Sequence, residues 1–253
     1  MNSRVHILMY HRVGHFPDRM PSHRGQYCHL PRFKAQMAML RHLGYRVIGL
    51  DEVVAGLRGE AALPDRAVAL TFDDAYVDFL EHAAPVLAEY RYPACVYAVA
   101  GMLGGKSEWV APEGLTPAPL MDAIQLREVQ AMGFTVGSHT MSHPRLARVE
   151  SVASITRELV DSKQVLEDTL GRQVDHFCYP YGSHDLRAAD AADAAGYRSA
   201  TTCLRAAATA RDDLLTLPRK AVHQGTTAFG LFWKLLARNH YKSPPIRRNS
   251  PAA

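Results

Sequence analysis

The sequence predicts an α/β fold, a single distorted (β/α) barrel of about seven strands, and three observations predict it. Short apolar runs alternate with longer amphipathic ones along most of the chain. The length, 253 residues, suits one barrel-sized domain, and 47% hydrophobic with 21% charged residues allow a substantial core. The polar clusters follow directly on apolar runs, and barrels gather their chemistry at the C-terminal ends of strands. Residues 1–240 are expected to form the barrel, and the basic, Pro-rich segment 241–253 reads as a flexible tail.

Each element has a local reason. His6–Val13 is apolar enough for a first strand, and a loop rich in His, Pro and Gly then runs to about residue 30. Pro31 opens a helix that Gly44 stops. Tyr45–Leu50 is a short strand, and Asp51 caps the small helix after it. Ala67–Phe72 is an apolar strand ending on Asp73 and Asp74, with a helix over about 77–90 and a strand over 94–100. The Gly- and Pro-rich stretch to about residue 120 carries Trp109 and is long enough for a lid or a substrate wall. A helix over 122–132 leads to a strand over 134–138. The longest helix, 149–170, places Val152, Ile155, Leu159, Val165 and Leu166 near 3.6-residue spacing. A strand over 176–179, an alanine-rich helix, strands over 197–202 and 214–222 and a helix over 227–237 complete the chain.

The net charge of +4 is mild and diffuse, without the basic cluster and interleaved aromatics of a nucleic-acid binder, so no nucleic acid is expected as partner. Cys28, Cys95, Cys178 and Cys203 show neither CxxC spacing nor a disulfide framework. With no signal peptide recognised and no apolar run near the ~20 residues of a spanning helix, the expected location is the cytoplasm.

Three segments carry chemistry. In Ala69-Leu-Thr-Phe-Asp-Asp74 two carboxylates follow a buried strand, where they need charge compensation, and alternating strand geometry aims them apart. In Ser138-His-Thr-Met-Ser-His-Pro144 two histidines at i and i+4 can converge on one ion if the loop turns helically. With one Asp they make a three-ligand site with open positions. In Phe177-Cys-Tyr-Pro-Tyr-Gly182 a strand ends in a rigid turn whose N–H can serve as an oxyanion donor. Taken singly, each has a structural reading as well: a cap, a core histidine, a turn.

Taken together and in this order, the three segments resemble the first three motifs of the polysaccharide deacetylase family (the NodB-homology domain of carbohydrate esterase family four). Ile7-Leu-Met-Tyr-His-Arg-Val13 and Leu217-Pro-Arg219 resemble its exopolysaccharide-deacetylase branch, and the resemblance covers roughly residues 6–223. It implies that Asp74, His139 and His143 hold one divalent metal, zinc most often, with cobalt, nickel or manganese in relatives. Asp73 would be the general base, the Tyr181 N–H would stabilise the oxyanion, and Pro180 and His11 would contact substrate. A late-strand His would protonate the leaving amine. His223, in Ala221-Val-His223, is the nearest match, and His11 is its competitor.

One departure stands out. The Arg that opens the third motif in the family is replaced by Cys178, and Arg219 is expected to supply that guanidinium, pairing with Asp73 to keep it ionised.

The implied reaction removes the N-acetyl group from an amino sugar, giving a free amine and acetate. A cytoplasmic enzyme needs a cytoplasmic amide, such as an N-acetylhexosamine of a glycan carried on a polyprenyl phosphate. Phe229-Gly-Leu-Phe-Trp-Lys-Leu-Leu-Ala-Arg238, followed by Lys242, Arg247 and Arg248, has the composition of a helix lying peripherally on the anionic inner face of the cell membrane. The opposing reading packs Leu231, Phe232, Leu235 and Leu236 on the barrel. The rival functions are a deformylase or amidase on another small or lipid-linked amide, and a non-catalytic carbohydrate-binding relative.

Overall fold

Residues 4–16, 24–237, 239–241, 245–246 and 248 are described by the computed structural model. The strands are β1 (Arg4–Tyr10), β2 (Arg12–Gly14), β3 (Tyr27–His29), β4 (Arg46–Val47), β5 (Ala67–Phe72), β6 (Cys95–Ala98), β7 (Thr135–Ser138), β8 (His176–Cys178), β9 (Ser199–Thr201), β10 (Ala208–Thr209) and β11 (Lys220–Ala221). The helices are α1 (Leu30–His42), α2 (Leu50–Arg58), α3 (Ala84–Tyr90), α4 (Ala123–Ala131), α5 (Val152–Leu170), α6 (Leu186–Ala194) and α7 (Ala228–Leu236).

The main sheet runs β10-β1-β5-β6-β7-β8-β9, with β4 beside β5 and β11 beside β1. Every pairing in it is parallel except β10 against β1. All six residues of β5, Ala-Val-Ala-Leu-Thr-Phe, are buried, as expected of a parallel strand covered on both faces. Leu217 bridges Thr201 of β9, while Lys220 and Ala221 pair with β1. The segment 217–221 therefore joins the two edges of the curled sheet, and the strand ends converge on one face.

The helices wrap the outside. Ser151 caps α5 by accepting from the Ser154 N–H, and Gly171 ends it in the left-handed conformation that glycine adopts without strain. Ile155, Leu159, Leu166 and Leu170 of α5 are buried, each stabilising by about 2 kcal/mol. Val152, expected on that stripe, is exposed instead, because it stands at the first helical position.

Several boundaries differ from expectation for physical reasons. The expected helix over 77–90 is a π-turn at Phe79–Ala83 that runs into α3. Pro85, in the first turn of α3, has no N–H to donate back along the chain. The expected strand over 214–222 is a 3-10 turn at Leu214–Thr216, then Leu217-Pro218, with only Lys220–Ala221 laddered. In the expected loop to residue 30, β3 pairs with β2. The 101–120 stretch folds back on the domain, with the Leu120–Tyr76 bridge and the Ala118 N–H donated to Ser107 Oγ.

In the C-terminal segment, Tyr241 donates to Asp212, Ile246 accepts from Thr216, and Arg248 pairs with Asp213 and Asp193. The rest of the tail reading, at 242–244, 247 and 249–253, lies outside the described residues. No helix among the described residues is long and apolar enough to cross a membrane.

Candidate active site

The site begins with backbone strain. Asp74, Ala75, Thr140, His143 and Tyr181 all have positive φ, between 53° and 74°. That conformation is costly for residues with a Cβ and persists where the surroundings over-determine it. All five follow β5, β7 or β8, at the C-terminal face of the sheet.

After β7 the backbone reverses sharply instead of continuing as the helical turn expected from the HxxxH spacing. Glu158 of α5 holds this loop by accepting from the Met141 and Ser142 N–H groups at 2.9 and 3.0 Å. The His143 N–H donates to Thr140 Oγ1. The outcome is convergence: Nε2 of His139 and of His143 lie 3.4 and 3.3 Å from the same oxygen, Asp74 Oδ1.

His139 Nδ1 lies 2.7 Å from the Cys178 carbonyl, which makes it the protonated nitrogen and leaves Nε2 as the free ligand. Asp74 Oδ1 is buried without a hydrogen-bond donor, and three ligand atoms lie within 4.8 Å of one another. This Asp-His-His donor set fits a divalent ion with open coordination positions. The His143 ring is stacked on Trp109 at 4.2 Å and tilted against Tyr181 at 4.7 Å, and Arg145 covers Tyr181 at 3.6 Å.

Asp73 points the other way, as strand alternation requires, and meets Arg219 in a bidentate pair at 2.6 and 2.7 Å. The buried Arg219 guanidinium spends its remaining donors on Thr71 Oγ1, the Thr202 carbonyl and Cys178 Sγ. All five N–H groups are thereby satisfied. The small Cys178 side chain, at the end of β8, leaves the guanidinium room.

Burial pushes both carboxylic acids upward, and the local partners overcome it. Asp73 is held below the usual carboxylate range by the charge and hydrogen bonds of Arg219. Asp74 is held well below it by the rings of His139 and His143 that converge on it. Burial lowers His143, whereas at His139 it is overridden by Cys178 and Asp74, and that ring is raised.

Of the other expected site residues, His11 places Nε2 3.8 Å from Asp73 Oδ2. Pro180 is buried at the start of the turn that sets Tyr181. His223 lines a cavity together with Arg219 and Cys203.

The sequence reading missed two supports. Tyr76 is buried beside Asp74 and Ser107, and lies under the Arg12 guanidinium. Asp78 binds Arg12 at 2.7 Å and the Val13 N–H, tying β2 to the segment that follows the two carboxylates. Their only signal was proximity to Asp74 in Ala75-Tyr-Val-Asp78.

The polysaccharide deacetylase family profile matches residues 60–200, more than half of the chain. The chain belongs to the polysaccharide deacetylase family. It is 25% identical to a Streptococcus pyogenes deacetylase, PplD, solved in complex with acetate, with a TM-score of 0.78 over 93% of this chain and 99% of that one. IcaB from Ammonifex degensii gives the same TM-score and identity over 92% and 97%. A poly-beta-1,6-N-acetyl-D-glucosamine N-deacetylase from Staphylococcus aureus (strain MRSA252) is 23% identical over 159 residues, 60% of this chain. The match spans only about half, 52%, of that relative. Family and relatives mark this deacetylase as a carbohydrate N-deacetylase, a hydrolase.

Proposed function

We propose that the chain removes the acetyl group from an N-acetylhexosamine of a glycan, with Asp73 as general base and a zinc ion held by Asp74, His139 and His143. The observation that carries this reading is the division of labour between adjacent carboxylates: Asp74 faces two histidines, and Asp73 faces Arg219.

When bound, the divalent ion supplies Lewis-acid polarisation of the acetamide carbonyl and a water activated near neutral pH. Zinc suits the His₂Asp donor set, with cobalt, nickel and manganese as substitutes. Asp73 accepts the proton of the attacking water, and Arg219 keeps its carboxylate ionised and fixed in direction. The Tyr181 N–H, offered by the Pro180-Tyr181-Gly182 turn, donates to the developing oxyanion. His223 delivers a proton to the departing amine, and His11, 3.8 Å from Asp73, is the alternative donor or a substrate contact.

Two features support the finer substrate. One relative is named for poly-beta-1,6-N-acetyl-D-glucosamine. On α7, Leu231 and Leu235 pack on the barrel while Phe229, Trp233 and Leu236 are 74, 57 and 53% exposed. These three stand at i, i+4 and i+7, one helical stripe that suits peripheral contact with the cytoplasmic membrane face and a polyprenyl-phosphate-linked sugar.

The test is acetate release after metal stripping and zinc reloading, on chito-oligosaccharide, a UDP-N-acetylhexosamine and a polyprenyl-phosphate N-acetylhexosamine. Zinc-dependent acetate from any one establishes the reaction, and the responding substrate fixes the carrier. Stoichiometric metal with no acetate from all three overturns the proposal.

A further inference from the structure

Beside the site lies a cavity of about 210 Å³ bounded by Cys203, Arg205, Arg219, Lys220, Ala221, His223 and Lys234. Four of these carry fixed positive charge, a fifth is a histidine, and none is acidic. Arg219 is matched by Asp73, as described. Lys220 Nζ donates to the carbonyls of Lys234 and Ala237 and to Asn239 Oδ1, and Lys234 Nζ donates to the Ala221 carbonyl. These bonds fix the two ammonium groups in place at the cavity wall.

Arg205 differs. Its Nε is buried without a hydrogen-bond partner among the described residues. A buried donor left unmade costs roughly 1–3 kcal/mol, more when it is charged, and a bound acceptor removes that cost. The turn that carries Arg205 is also tied to the catalytic machinery. The Leu204 carbonyl accepts the Arg219 N–H, and the Thr202 carbonyl accepts Arg219 Nε–H. An anion in this cavity would therefore sit next to the reacting end of the barrel.

We propose that this cavity is an oxyanion-binding subsite, anchored by Arg205, that takes a carboxylate or phosphate group adjoining the N-acetyl position. The location beside the reacting group rests on the deacetylase reading above; the anion site itself does not. Two sources offer this chemistry: an acidic group on the glycan or its carrier, and the released acetate.

The test uses the full metal-reconstituted chain. Calorimetric titration with inorganic phosphate should show one saturable site, and Arg205→Gln should weaken it about tenfold or more, the worth of a charge-assisted hydrogen bond. Zinc content and the circular dichroism melt should stay unchanged. Arg205→Lys, which keeps the charge and loses the fork, should fall between the two and guards against a folding defect in the Gln variant. Phosphate binding equal to wild type in Arg205→Gln overturns the proposal.

Kinetics then separate the sources. If the glycan supplies the anion, Arg205→Gln raises KM for a chito-oligosaccharide carrying a carboxylate and leaves kcat/KM for the neutral one unchanged. If acetate is the occupant, only product inhibition weakens. Loss of phosphate binding in a protein that releases no acetate would sustain the subsite and overturn the reaction.

Discussion

Both ends of the barrel carry a histidine–aspartate pair, and the two stand in unlike surroundings. At the C-terminal face, His139 lies 3.4 Å from Asp74 and fixes its tautomer on the Cys178 carbonyl. At the opposite face, His176 at the start of β8 lies 3.5 Å from Asp51 and sets its Nδ1 against Ser199 Oγ. The residue types and distances nearly match, and their surroundings do not. The Asp74 side chain is 3% exposed and receives a second histidine, whereas that of Asp51 is 62% exposed and shares its charge with Arg198. Water screens Asp51 and makes its pair nearly neutral in energy. Burial makes Asp74 costly unless cationic or donor groups converge on it, and His139 and His143 do so.

The largest effects should come from breaking the buried end. His139→Ala should lose both zinc and turnover, because one of three ligand atoms is gone. Asp73→Asn should keep zinc while turnover falls by roughly 10²–10⁴, the usual worth of a general base. Metal analysis beside acetate release checks both, and full zinc in His139→Ala would refute the ligand set. Chelation should likewise abolish acetate release from the wild type, with recovery on adding zinc.

Arg219 is the next test. Asp73 has a depressed pKa when folded, so its contribution to stability is present above the unfolded value of about 3.9. That contribution is lost as pH falls through the lower folded value. In Arg219→Met the strongest influence that lowers Asp73 is gone, and burial, which raises it, is opposed only by the neighbouring His11 and His139. The acid limb of kcat/KM should then move to higher pH, with about 3–5 kcal/mol of stability lost by urea denaturation. An unmoved acid limb would show that Arg219 is merely structural.

The same contrast explains what could be read in the sequence. Asp73, Asp74, His139 and His143 were legible because their motifs, taken together and in order, resemble those of the family, whereas the HxxxH spacing alone suggested a helical turn that the sharp reversal after β7 replaces. Arg219 was legible through the Leu217-Pro-Arg219 resemblance and the departure at Cys178, 41 residues away. Glu158 acts on the Met141–Ser142 loop from a distant segment, and no local pattern announces such a contact. The strands were legible from apolar runs, but the π-turn before Pro85 and the broken ladder around Pro218 were not. A proline removes a hydrogen bond, and tertiary contacts decide how the chain absorbs the loss.

A smaller effect should follow at the turn below Tyr181. Gly182 has φ +64°, and a Cβ there would lie 2.6 Å from both Cys203 Cβ and the Cys203 backbone nitrogen. Backbone cannot yield as a flexible side chain does, so Gly182→Ala should cost about 1–3 kcal/mol. It should also raise KM or lower kcat by displacing the Tyr181 N–H, while zinc stays bound. A variant with wild-type melting and kinetics would show that this turn tolerates displacement and that its N–H is no oxyanion donor.

The smallest effect should come from the opposite end. Asp51 is held below its ordinary value first by His176, 3.5 Å away, and then by Arg198 and Arg172, so Asp51→Asn removes a contribution to stability that is present above the carboxylate range. The carboxylate is mostly exposed, and a screened pair of this kind is worth at most about 1 kcal/mol. A thermal melt at neutral pH should therefore move slightly, the melt below the carboxylate range should not move at all, and zinc content and kcat should match wild type. His176 and Cys178 stand two residues apart on β8, one at each end of the strand. A change in zinc affinity in Asp51→Asn would mean that β8 transmits strain between the faces, and burial alone would then no longer separate the two pairs.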